Sequence, residues 1–147
     1  MYQRILVATD GSKLSQKAVT HAIGLADLTG AELVALKVVP RYPLTYFEGG
    51  MTVAMSEVNR IEKEWVAEAQ EAVNAVKSAG QKKAVKVKAL TVKSDLIAES
   101  IMATAKRSKC DLIVMASHGR KGLKRLLLGS ETQQVLTHST IPVLNLR

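Results

Sequence analysis

The chain has 147 residues, 47% of them apolar, and a formal net charge of +8. That length suits one domain with a sizeable core, and no apolar run approaches the roughly 18 residues of a membrane span. Only 3% of the residues are aromatic, which argues against a stacking platform for single-stranded nucleic acid in spite of the positive charge.

The first element expected is a strand from Gln3 to Thr9, a short apolar run closed by Asp10-Gly11 that reads as buried on both faces. It is too short for a secretory leader and runs straight into Asp10. Ser12 to Thr29 follows as a helix with Val19, Ala22, Ile23 and Ala26 on one face, Ser12 as N-cap and Gly30 as stop. Ala31 to Val39 reads as a second strand, and Arg41 to Met51, with Pro43, Gly49 and Gly50, as a loop.

Val58, Ile61, Trp65, Ala69, Val73 and Val76 recur at spacings of three and four, which predicts a long amphipathic helix ending at Gly80 with Trp65 in its core-facing stripe. Ala84 to Val92 alternates apolar residues with Lys86 and Lys88, the pattern of a half-exposed strand whose lysines guard a sheet edge. Asp95 is expected to cap a helix that runs through Ala105, with Lys106, Arg107 and Lys109 at its negative end. Asp111 to Ala116 reads as a buried strand, preceded by the lone Cys110 as a packed thiol, and a Gly- and Arg/Lys-rich stretch runs from Ser117 to Gly129. Ser130 to Thr137 reads as a short helix and Ile141 to Leu146 as a last strand.

Strands alternating with helices imply a doubly wound, Rossmann-like parallel sheet of five strands with right-handed crossovers and helices on both faces. No linker, repeat or second domain is evident, so residues 1–147 are expected to form one domain. Ligands of such sheets sit beyond the carboxyl ends of the strands where their order reverses. Thr9-Asp10-Gly11, Val38-Val39 and Met115 to Gly119 are those ends. In the segment from Ala116 to Gln134, Gly119 and Gly129 would let backbone approach a phosphate, Arg120, Lys121, Lys124 and Arg125 lie between them, and Ser130 with Gln133 has the spacing of a capping box. The plain alternative is a turn, a capped helix and a solvated basic face.

These residues resemble the universal stress protein family, known for G-x2-G-x9-G-[S/T] after its fourth strand. Here Ala116 stands in the first glycine position, Gly119 in the second, and nine residues later come Gly129 and Ser130. ILVATDGS at the start, LKVV in the second strand and IPVLNLR at the end are similar to the family as well. The resemblance spans the chain and implies an adenine nucleotide alpha hydrolase-like sheet, with the family's strand order 3-2-1-4-5, that binds ATP, with Mg2+ bridging the phosphates. Residue by residue, it implies Asp10 at the ribose and adenosine end with Ala8 and Thr9 beside it, and Val38 at the adenine edge. Met115 and Ala116 would form the floor, and Gly119, Arg120, Gly129, Ser130 and Glu131 would surround the phosphates. Ala116 in place of glycine crowds the ribose, and Glu131 puts a carboxylate beside the phosphates. It also implies a homodimer through antiparallel pairing of Ile141 to Leu146, with Asn145 where relatives keep an aliphatic residue.

The function expected is a nucleotide-binding regulatory module in stress response, cytoplasmic because a single cysteine cannot form an internal disulfide, with protein partners that the sequence does not identify and no membrane partner. A slow ATPase or phosphotransferase is the enzymatic alternative, although Walker A and kinase motifs are missing. A stress protein that binds no nucleotide and acts by protein interaction is another. A nucleic-acid binder comes last. No catalytic residue and no metal-ligand cluster is singled out; His118 lies in the basic stretch without a catalytic neighbour pattern.

Overall fold

The computed structural model describes residues 1–42, 54–117 and 130–147. Expectations placed on Pro43 to Met51 and on His118, Gly119, Arg120, Lys121, Lys124, Arg125 and Gly129 lie outside the described residues. Nine elements occur in the described chain: β1 (Arg4–Ala8), α1 (Lys13–Thr29), β2 (Glu32–Val39), α2 (Met55–Gln81), β3 (Val87–Lys93), α3 (Ile97–Arg107), β4 (Leu112–Ala116), α4 (Ser130–His138) and β5 (Val143–Leu146). All strand pairs are parallel, and the order is β3-β2-β1-β4-β5.

The two faces of the sheet build two cores. Ile5, Val7, Leu33, Ala35 and Val114 meet α1 and α2 through residues such as Ala22, Val73 and Val76. Leu6, Val34, Leu36, Ile113 and Met115 meet α3 and α4 through Ala98, Ile101, Ala105 and Val135. Because successive strand side chains point to opposite faces, a strand covered on both sides must be apolar throughout. Hence Ile5-Leu6-Val7 and Leu112-Ile113-Val114-Met115 are buried without alternation. Cys110 is buried beside this sheet, and burial pushes its thiol up to about 11, the state of an inert core thiol.

Local chemistry sets most element ends. Ser12 caps α1, its hydroxyl accepting from the Ser15 N–H at 3.1 Å. Gly30 ends that helix at φ +74°, a left-handed conformation that costs glycine little. The third strand starts at Val87, later than alternation suggests, because the Val85 N–H returns to the Gly80 carbonyl at 2.9 Å and Ala84 turns through φ 57° to close α2.

Three expectations need correction. Asp95 is not the cap of α3: the N-cap position is Leu96, without a side-chain bond, and Asp95 Oδ1 instead accepts from the Arg41 N–H at 2.9 Å. That bond ties the exit of β2 to the loop after β3. Trp65 and Ile61 are half-buried rather than core residues, and Trp65 stacks on Tyr42 with ring centroids 6.0 Å apart. Ser130 forms no capping box with Gln133. It is the first residue of α4, and its hydroxyl donates to Glu131 Oε2 at 2.6 Å.

Candidate functional site

The order of the strands reverses between β1 and β4, and a crevice opens there because β1 leads to a helix on one face and β4 to a helix on the other. Beyond these carboxyl ends lies a cavity of about 210 Å³. Ala8, Thr9 and Asp10 reach it from β1, Val38 from β2, Met115 and Ala116 from β4, and Glu131 from the first turn of α4. Seven residues expected at the site from the sequence therefore line one concavity. Ser130 stands exposed at the start of α4 and is not in its wall.

Five further wall residues escaped the sequence reading: Ser15, Leu36, Ile97, Ile101 and Thr132. Leu36 shares the face of Val38, two residues on, and period-two alternation could have found it. Ile97 and Ile101 are one helical turn apart on α3, but their stripe reads simply as core. The hydroxyls of Ser15 and Thr132 carry no pattern at all.

The walls are mainly apolar, with Leu36, Val38, Ile97, Ile101 and Met115 opposite a polar side made by Thr9, Asp10 and Glu131. Asp10 Oδ1 accepts from the Ser12 N–H at 2.9 Å. Burial pushes the Asp10 carboxyl up, but hydrogen bonds from the Ser12 side chain and backbone and from Ser15 outweigh it, and the net shift is below the ordinary carboxylate range. The group is an ionised acceptor at neutral pH. Thr9 Oγ1 lies 3.0 Å from Ser15 Oγ and accepts from the Gly11 N–H at 3.2 Å, so the turn is braced from within. On the other side, Thr132 donates to the Ala116 carbonyl at 3.0 Å and fixes the start of α4 against the end of β4. Glu131 faces the cavity with one oxygen already held by Ser130.

This arrangement suits a flat, weakly polar ring against the apolar wall and a hydroxyl-bearing group against Asp10. Among the described residues, no group of three or more His, Cys, Asp or Glu could hold a metal ion.

Because its folded value is depressed, the Asp10 carboxylate stabilises the fold fully above the ordinary carboxylate range and loses that contribution as pH falls through its lower folded value. The stability difference between the parent and Asp10→Ala, measured by urea unfolding, is therefore expected to be constant near neutral pH and to shrink from about pH 4 downwards. A difference that grew on acidification would contradict an ionised Asp10.

The model of the universal stress protein family matches residues 1–147. The universal stress protein MJ0531 of Methanocaldococcus jannaschii is 35% identical over 146 residues, covering 98% of this chain and 81% of its own. The solved structure of MJ0577, from the same organism, superposes with a TM-score of 0.83 at 29% identity over 99% of this chain and 96% of that one. The Archaeoglobus fulgidus universal stress protein solved in complex with dAMP is alike in fold, with a TM-score of 0.72 at 18% identity over 99% of this chain and 98% of its own.

Proposed function

The chain belongs to the universal stress protein family, and on that premise we propose that it is a cytoplasmic, single-domain regulatory module that binds ATP or a related adenine nucleotide. The observation that carries this reading is the cavity at the β1/β4 switch, where an ionised Asp10 faces an apolar wall. The adenine ring lies between Val38, Ile97 and Met115, and the Asp10 carboxylate accepts from the ribose hydroxyls. The volume of about 210 Å³ is below that of most drug-sized ligand sites, so it takes the nucleoside and leaves the phosphates at its mouth. There the start of α4, fixed by Thr132, directs its first N–H groups and positive dipole end at the phosphates. By the family signature, Gly119, Arg120, Gly129 and Ser130 are assigned to the phosphates, and a bound Mg2+ would offset the repulsion between them and Glu131. The dAMP held by the Archaeoglobus fulgidus relative supports the choice of an adenine nucleotide.

Calorimetry on nucleotide-stripped protein tests this. ATP is expected to bind with micromolar affinity, and Asp10→Ala to weaken it by about tenfold, the loss of one charge-assisted hydrogen bond. No detectable heat with ATP, ADP or AMP would leave the alternative of a family member that acts through protein contacts alone.

The second part of the proposal is a homodimer through β5. Among the described residues, Val143 to Leu146 form a sheet edge next to β4, and Pro142 precedes the strand rather than interrupting it. The Asn145 side chain is engaged within its own chain. Its Nδ2 donates to Ser117 Oγ at 2.7 Å, and Ser117 Oγ donates in turn to the Leu146 carbonyl at 3.1 Å, so the side chain locks β5 to the end of β4. Light scattering at micromolar concentration is expected to give twice the monomer mass, and a monomer there rules the dimer out.

A further inference from the structure

A concavity of about 940 Å³ lies away from the switch-point cavity, along β3 and the amino ends of β1 and β2. Six cationic side chains line it: Arg4, Lys77, Lys86, Lys88, Arg107 and Lys109. Its one carboxylate, Glu32, is already engaged by Arg4 Nη2 at 3.1 Å and Lys86 Nζ at 3.7 Å. Most of the chain's surplus positive charge is therefore gathered in one groove that the nucleotide reading does not use.

The floor of that groove is an edge strand. The Leu33 N–H donates to the Lys86 carbonyl at 2.8 Å, and Leu33 is in register with Val87. In a parallel ladder alternate residues bond to the same neighbour. Lys86, Lys88 and Leu90 thus turn their backbone groups to β2, while Val87, Ala89 and Thr91 turn theirs outward. Among the described residues no strand takes up those outward groups. They form a row of donors and acceptors with the repeat of a polypeptide. On one side of the row stand Lys86 and Lys88, with Arg107 beyond them; on the other stand the polar Gln70 and Asn74 of α2.

We propose that the β3 edge is a docking site for an extended acidic peptide, which adds to the sheet as a strand with its carboxylates against Lys86, Lys88 and Arg107. Edge lysines deter a second copy of this basic chain, and the same charges favour an acidic strand. No aromatic side chain lines the groove to stack a base, and its concave shape does not match a membrane surface. The nucleotide reading plays no part in this proposal, so either can fail without the other.

The test is a titration of the isotope-labelled, nucleotide-free full chain with a ten-residue peptide of alternating Glu and Thr at low salt, followed by NMR. The Val87, Ala89 and Thr91 amides are expected to shift and to exchange more slowly with solvent. The double variant Lys86→Glu with Lys88→Glu is expected to weaken binding by at least about tenfold. Ala89→Pro removes one outward N–H at an edge position where proline is tolerated, and is expected to abolish the protection. If Ala89→Pro does not fold, the charge-reversal variant and the exchange data on the parent decide the matter. Undiminished binding by either folded variant overturns the proposal, as does a peptide that leaves the β3 amides unchanged. So does binding of duplex DNA or phosphatidylserine vesicles through these lysines when the peptide does not bind.

Discussion

Replacing Ala8 by leucine is expected to abolish adenine-nucleotide binding while leaving the chain folded. Ala8 lies in register with Leu36, packs on the α3 and α4 side of the sheet and lines the switch-point cavity. A leucine there carries three more carbons into a space of about 210 Å³, where the ribose and ring would sit. Forcing extra methylenes into a packed core costs about 1–3 kcal/mol, but Ala8 is only partly buried, and the open side of the cavity keeps the cost at the low end. The affinity for ATP is expected to fall by at least about a hundredfold, equivalent to about 2.7 kcal/mol, with the melting temperature within a few degrees of the parent. Calorimetry and thermal unfolding of the same sample read both quantities. An unchanged affinity would place the nucleotide elsewhere on the molecule.

Gly80→Val is expected to be the most destabilising single change outside that site. Gly80 lies in the last turn of α2, and a Cβ built there comes inside contact distance of Val87 Cγ2 and within 3.4 Å of the Val85 carbonyl oxygen. Val87 is buried in the core between α2 and the sheet, and its β-branched side chain has few rotamers to escape into. Two effects oppose each other. Removing a helical glycine gains up to about 1 kcal/mol with alanine and less with valine, whereas overpacking costs about 1–3 kcal/mol or more. Sterics win, and valine, with its two added methyls, is expected to cost about 3 kcal/mol, against about 1–2 kcal/mol for Gly80→Ala. Val87→Ala in the Gly80→Ala background is expected to recover part of the loss, a coupling that a double-mutant cycle measures by urea unfolding. Additive costs would show that the crowding lies elsewhere than at Val87.

How far the molecule was legible differs from element to element. The helix from Ser12 to Gly30 was read at both ends, since a hydroxyl cap and a left-handed glycine act over four residues of the chain itself. The Asp95 cap was misread because the same carboxylate has a better use: the tertiary fold brings the Arg41 N–H to it from a point far away in sequence. Trp65 fits the apolar stripe of α2, yet it is half-buried and stacks on Tyr42, a partner remote in sequence that periodicity does not reveal. Asn145 carries no pattern that would reveal its bond to Ser117, which exists only because β4 and β5 run side by side.

Sequence alone determined the class of the fold, the order of its elements and the chain segments that supply the β1, β2 and β4 termini, because hydrophobic periodicity and caps are local properties and parallel crossovers have one hand. Only the tertiary structure decided that Leu36, Ile97 and Ile101 wall the cavity, that Asp10 is held ionised beside them, and that scattered lysines and arginines gather along β3. Those properties arise from distances between residues remote in the chain, and burial and electrostatic fields depend on such distances rather than on neighbours in sequence.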